Sequence, residues 1–172
     1  MLRKFLFVSA LALLPAIANA QPRAQDWEIT LGGTGNNNRG FTEATFAVSG
    51  SIGYFFTPQI EVSLRQGVTY SDQNNGTAWQ GNSRGAVDYH FTNLFGKFVP
   101  YVGGNLGYAY GDNFNDTFEA GPEVGLKFYV HERTFLFVNA EYEFFFRNSG
   151  AAGTGFKHGQ FVYTLGVGFN LP

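Results

Sequence analysis

Ile60-Glu61-Val62-Ser63-Leu64-Arg65-Gln66-Gly67-Val68-Thr69-Tyr70-Ser71 is the stretch that decides the fold. Its even positions read Ile60, Val62, Leu64, Gln66, Val68 and Tyr70; its odd positions read Glu61, Ser63, Arg65, Gly67, Thr69 and Ser71. A strand sends successive side chains to opposite faces, so one face here is greasy and the other polar. A helix would need apolar residues three and four apart. The same alternation returns near the end of the chain. Phe161, Tyr163, Leu165, Val167, Phe169 and Leu171 share one face, with Val162, Thr164, Gly166, Gly168 and Asn170 between them.

Working outward, the alternation predicts eight strands over 25–33, 41–55, 60–72, 78–91, 99–111, 117–130, 134–146 and 159–171. Each is long enough to cross a bilayer as a tilted strand, which takes about 9–11 residues. The connections alternate in character. Thr57-Pro58-Gln59, Thr92 to Phe98 and His131-Glu132-Arg133 are short or apolar, whereas 34–40, 72–78, 112–116 and 147–158 are polar and rich in Gly and Asn. Short periplasmic turns and longer outside loops are the habit of outer-membrane barrels. An even strand number returns both ends of the barrel to the periplasm.

Composition agrees with a membrane wall. Charged residues make up 14% of the chain and aromatic residues 18%, against about 25% charged in soluble domains. No run beyond the first twenty residues reaches the length of a membrane helix. A closed barrel is the other structure that satisfies every backbone group within hydrocarbon. The first twenty residues have the order of a signal peptide. Arg3 and Lys4 precede the apolar run Phe5 to Leu14, Pro15 breaks it, and Ala18-Asn19-Ala20 supplies small residues for cleavage after Ala20. The expected domain is therefore 21–172, with 9 basic and 13 acidic residues and a net charge of −4. That balance gives no footprint for nucleic acid. With no cysteine in the chain, disulfides and thiolate metal sites are excluded.

The direction of the alternation separates a membrane barrel from a soluble lipocalin-like one, whose apolar face points inward. Thr45, Ala47, Ser49, Ser51 and Gly53 share a face, as do Gly103, Asn105, Gly107 and Ala109, and such faces make a poor soluble core. Charges recur on the same side: Glu28, Glu61, Arg65, Arg84, Asp88, Glu119, Glu123, Lys127, Glu141 and Glu143. On the greasy side, aromatics gather near strand ends. Trp27, Tyr54, Tyr89, Phe91, Phe128 and Phe169 fall at the periplasmic rim. Tyr70, Trp79, Tyr108, Tyr110, Phe118, Phe144, Phe146, Phe161 and Tyr163 fall towards the outer rim. Girdles of this kind sit at lipid headgroups.

Val99-Pro100-Tyr101-Val102-Gly103-Gly104, Gly121-Pro122-Glu123-Val124-Gly125-Leu126-Lys127 and Leu165-Gly166-Val167-Gly168-Phe169 complete the pattern. With the eight strands and the signal peptide, the chain resembles the small outer-membrane β-barrel family of opacity-protein-like and OmpA/OmpX-type proteins. The resemblance covers nearly all of 21–172. It implies an all-β, eight-stranded, antiparallel up-and-down transmembrane barrel in the outer membrane of a Gram-negative bacterium. It also implies contact with outer-membrane lipids, lipopolysaccharide and the assembly machinery. Such chains usually end in Phe or Trp; here Asn170, Leu171 and Pro172 follow Phe169.

A lumen of about eight strands is just wide enough for side chains to fill. Arg65, Arg84 and Lys127 are the cations available to Glu61, Asp88, Glu123, Glu141 and Glu143, so the charges form either a salt-bridged plug or an ion gate. No catalytic site emerges. His90 points inward near the periplasmic end, His131 lies in a turn, and His158 lies in the last loop near Ser149. His90-Phe91-Thr92-Asn93 resembles the His-x-Ser-Asn segment of lipid A deacylases, but with Thr for Ser and at the opposite end of the barrel. Asp112, Asn113, Asn115 and Asp116 lack calcium-loop spacing and read as a solvated turn. Gly103, Gly104 and Gly107 lie within a strand, so they form no phosphate loop. Neither a cofactor nor a metal is expected. The expected role is a non-enzymatic, structural protein whose loops bind or adhere outside the cell. A narrow porin-like channel and a lipid A-modifying enzyme are the alternatives.

Overall fold

The computed structural model describes residues 21–37, 44–73, 76–112, 116–146 and 159–172. The segment read as a signal peptide lies outside these residues. Eight antiparallel strands, β1 (Trp27–Asn37), β2 (Ala44–Phe55), β3 (Ile60–Gln73), β4 (Gly76–His90), β5 (Phe98–Gly111), β6 (Thr117–Tyr129), β7 (Thr134–Phe145) and β8 (Gly159–Leu171), follow one another around a closed barrel. Closure runs from Trp27↔Leu171 to Gly33↔Leu165 between β1 and β8. It leaves no unpaired sheet edge, the condition for a sheet to stand in hydrocarbon.

We call the end carrying Trp27 and Leu171 the base and the opposite end the crown. At the base the chain reverses tightly: Phe56 N donates to Ile60 O at 3.0 Å, and Val130 N to Thr134 O at 3.0 Å. At the crown the ladders run further than the polarity of the sequence suggests. The stretch 72–78, expected as a loop, is mostly ladder, with Asp72 opposite Thr77 and Gln73 opposite Gly76. Likewise β1 continues to Asn37, opposite Ala44. Polar residues on both faces do not stop a strand once its backbone partners are in register.

Pro122 lies inside a closed sheet, where its missing N–H must not be needed. The β6–β7 register is the same on either side of it, Ala120↔Phe144 and Glu123↔Glu141, with no pairing at Gly121 and Pro122. This is a missing rung rather than a bulge. Gly121 permits it, because a Cβ there would collide with the carbonyl of Tyr142.

The barrel is apolar outside and polar inside. Leu31, Leu64, Val87, Leu106, Val124, Val138 and Leu165 are exposed on the wall. Nine hydrophobic residues are buried among the described ones, against sixteen polar or charged residues. The interior therefore cannot be held by burial of hydrocarbon alone. Hydrogen bonds and ion pairs must organise it. Among the described residues, the one cluster of buried apolar side chains, Val99, Tyr129, Phe135 and Phe137, lies at the base, while Phe145 and Ala109 are buried singly towards the crown.

Candidate functional site: the charged lumen

Inward positions of five strands bring three cations and seven carboxylates into three layers. Lys127 of β6 occupies the base layer. Its Nζ donates to both oxygens of Glu28 at 2.7 Å and to Glu61 Oε2 at 3.1 Å. It also lies 5.0 to 5.4 Å from the ring centroids of Phe55, Tyr101 and Phe135. Asn170 Nδ2 donates to Glu28 at 3.2 Å and Tyr129 Oη to Asn170 Oδ1 at 2.7 Å. An ammonium among rings and carboxylates has every face occupied by negative charge or π density.

Arg65 of β3 holds the middle layer. Its Nη1 donates to Glu123 Oε2 at 2.5 Å and its Nη2 to Asp88 Oδ2 at 2.6 Å. Ser63 Oγ accepts from Nε at 3.1 Å, and Asn139 Nδ2 adds a second donor to Glu123 at 2.9 Å. The guanidinium fork thereby spans the lumen from β3 to β6. Arg84 of β4 holds the crown layer, with Nη1 2.7 Å from Glu141 Oε2 and 3.0 Å from Glu143 Oε1. Its Nε stands 3.7 Å from Glu119 Oε1. Asn105 Nδ2 donates to Glu141 at 3.0 Å and Gln160 Nε2 to Glu143 at 2.8 Å.

The structure thus places Glu28, Glu61 and Lys127 together, Arg65, Asp88 and Glu123 together, and Arg84, Glu141 and Glu143 together with Glu119. The uncharged partners Asn139, Gln160 and Asn170 share the inward parity of the charges, and that parity is the signal by which sequence reasoning could find them. Sequence reasoning also misses the inward aromatics. Phe135 and Phe137 occupy the same face of β7 as Asn139 and Glu141. Phe55, His90, Val99, Tyr129 and Phe135 are all 0% exposed and close the base. The His90 ring stacks on Tyr101 at 5.1 Å and tilts against Phe55 at 5.1 Å.

Cavities lie between and above the layers. One of about 50 Å³ touches Glu61, Arg65, Asp88 and Lys127. Two more, of about 120 and 80 Å³, lie towards the crown against Asn82, Glu143 and Gln160. All three are lined by polar groups and large enough for water.

The outward aromatics occupy both rims. Trp27 packs edge-on against Tyr54 at 5.1 Å, and Tyr89 against Phe91 at 5.2 Å, near the base, where Phe169 also lies. Towards the crown, Tyr108 meets Phe118 at 5.1 Å, Tyr142 meets Phe144 at 4.5 Å and Phe161 at 4.7 Å, and Tyr70 is the cross-strand partner of Trp79. Tyr110 serves in addition as a hydrogen-bonding group. Its ring lies over Gly81, and its hydroxyl accepts from Gln66 Nε2 at 3.0 Å, while Ser83 Oγ donates to Gln66 Oε1 at 2.6 Å.

His90 has no hydrogen-bond partner on either ring nitrogen and sits 3.5 Å from Glu61 Oε2, enclosed by rings. A histidine sealed in this way cannot reach a lipid. His158 and Ser149 lie outside the described residues, as do Asn113 and Asn115. Asp112 lies beside β4 just past the end of β5: its N donates to Trp79 O at 2.8 Å and its Oδ2 accepts from Trp79 N at 3.4 Å. Among the described residues no group of His, Asp and Glu is arranged to hold a metal ion.

No protein-family model matches the chain. Its fold is similar to that of the outer membrane protein OprG from Pseudomonas aeruginosa, with a TM-score of 0.57 and 13% identity over 90% of this chain and 99% of that one. It is similar too to Neisserial surface protein A, with a TM-score of 0.59 and 12% identity over 85% of this chain and 94% of the other. In sequence it is 29% identical over 137 residues to outer membrane porin F of Pseudomonas aeruginosa. That match takes in 71% of this chain and 37% of the porin, so the chain spans little more than a third of the relative's length. The fold is that of the small eight-stranded outer-membrane barrels.

Proposed function

We propose that this outer-membrane β-barrel protein is a non-catalytic scaffold, closed through its lumen, that presents the crown connections 38–43, 74–75, 112–116 and 146–158 outside the cell for binding or adhesion. The observation that carries the reading is the base closure. Five side chains with no exposed surface stand across the lumen, backed by a lysine bound to two carboxylates. With the wall given to lipid and the lumen to ion pairs, the crown connections are the surface left for recognition. In this reading residues 1–20 direct export and are cleaved after Ala20, and the base faces the periplasm. The outward rims at Trp27, Tyr54, Tyr89 and Phe169, and at Tyr70, Trp79, Tyr108, Tyr110, Phe144 and Phe161, meet phospholipid and lipopolysaccharide headgroups. The assembly machinery inserts the chain.

The test replaces 38–43 and 146–158, one at a time, by short Gly-Ser connections in cells that display the barrel. Loss of whole-cell binding to host surfaces or matrix with unchanged barrel content supports the reading. Binding that survives both replacements places recognition elsewhere. A second reading, a narrow channel, draws on two observations: the relative named a porin, and the series of water-sized cavities between the ion-pair layers. It requires the base aromatics to move aside.

A further inference from the structure

Each layer of the lumen holds one cation, yet the carboxylates are not evenly shared. Lys127 answers Glu28 and Glu61, and Arg65 answers Asp88 and Glu123. Arg84 alone faces Glu119, Glu141 and Glu143. The crown layer therefore carries the largest surplus of acid, and the two larger cavities lie there. The cavity of about 80 Å³ is bordered by both Glu119 and Glu143, and Asn82 borders both cavities.

Unanswered acceptors occur in the middle layer, at Asp88 Oδ1, Glu123 Oε1 and Asn139 Oδ1, and in the crown layer, where Glu119 and Asn82 also border the cavities. Glu119 is 1% exposed, and its Oε1 has no hydrogen-bond partner, since Arg84 Nε at 3.7 Å is too distant for one. Asn82 Oδ1 and Asn105 Oδ1 are buried and also lack a donor. Buried acceptors beside unbalanced carboxylates are costly unless a donor, preferably a charged one, fills the space. No group of acids here is disposed to hold a metal ion among the described residues. The species that suits these acceptors is instead a water-sized cation that donates N–H bonds. We propose that the crown layer binds a small ammonium-type monocation, with Glu119 and Glu143 as its counter-ions and Asn82 Oδ1 as a neutral acceptor.

The competing arrangement is that surplus carboxyls hold protons and the cavities hold only water. Titrating the refolded full barrel in detergent with methylammonium chloride, with tetramethylammonium chloride and potassium chloride at equal ionic strength as controls, separates the two. The readout is the temperature midpoint of the gel-mobility shift. Methylammonium should raise the midpoint saturably, and tetramethylammonium, which has no N–H and is too large, should not. Glu119→Gln should weaken the apparent affinity about tenfold or more, the effect of losing a hydrogen bond to a charged group. Glu132→Gln, on an exposed base turn, should leave it unchanged. Equal shifts with all three salts, or a response kept in Glu119→Gln, overturn the proposal. Should Glu119→Gln fail to refold, Glu143→Gln is read the same way. Calorimetric titration of the unaltered barrel with methylammonium needs no variant: a saturable one-to-one isotherm supports the site, and the absence of heat overturns it.

Discussion

Replacing Lys127 by Met tests whether ion pairing organises the lumen. Met keeps most of the stem that packs among Phe55, Tyr101 and Phe135 but removes the charge that bridges Glu28 to Glu61. At about 3 Å and an effective dielectric near 20, each attraction is about 5–6 kcal/mol before the cost of desolvation. Because that cost is shared by all three groups, the net loss expected on removing one partner of a buried pair is about 3–5 kcal/mol. Against a typical total of about 5–15 kcal/mol, this is a large fraction. The assay is urea unfolding of the barrel in lipid vesicles, followed by tryptophan fluorescence and gel mobility. Adding Glu28→Gln and Glu61→Gln to Lys127→Met should restore most of the loss, since the uncompensated charges go with their partner. A single variant within about 1 kcal/mol of the parent, below that range, or a triple variant no better than the single one, would refute the reasoning.

Other consequences follow from the same geometry. Gly168 lies beneath the Phe135 ring, so Gly168→Ala should cost about 1–3 kcal/mol by overpacking. A methyl group at Gly85 would meet no atom within 4 Å, so Gly85→Ala should leave the urea midpoint nearly unchanged. Leu64 points outward and is 68% exposed; Leu64→Arg should cost about 2–4 kcal/mol in lipid if that wall faces the bilayer interior. The effect should largely vanish for Asp72→Arg, on an exposed site near the crown. Tyr129→Ala combined with Phe135→Ala removes two of the base side chains; this double variant should pass ions in a planar bilayer, with preference for cations because acids outnumber bases along the lumen.

The fold was legible because a period of two holds along every strand. Ile60, Val62 and Leu64 turn outward, and Glu61, Ser63 and Arg65 turn inward, without help from distant residues. Strand ends were less legible. Polarity at 72–78 suggested a loop, but backbone pairing between β3 and β4 does not depend on side-chain polarity where both faces meet water. The lumen was legible in membership but not in partnership. Parity places Arg84 and Glu141 inside, whereas their contact depends on the stagger of β4 against β7, which no local pattern records. The inward rings of Phe135 and Phe137 escape notice for a related reason. An aromatic near a strand end suits a headgroup girdle and a lumen closure equally by type, and only strict counting along β7 separates them. The bond of Gln66 to Tyr110 is likewise a cross-strand matter, joining β3 to β5 over the glycine of the strand between.

The most direct measurement is single-channel recording of the unaltered barrel, refolded and verified by its heat-dependent gel mobility, in a planar bilayer. A lumen closed at its base by Phe55, His90, Val99, Tyr129 and Phe135, and filled by three ion-paired layers, predicts a silent membrane at all applied voltages. Stable, reproducible current steps from the verified barrel would contradict the closed lumen and turn the account towards the channel.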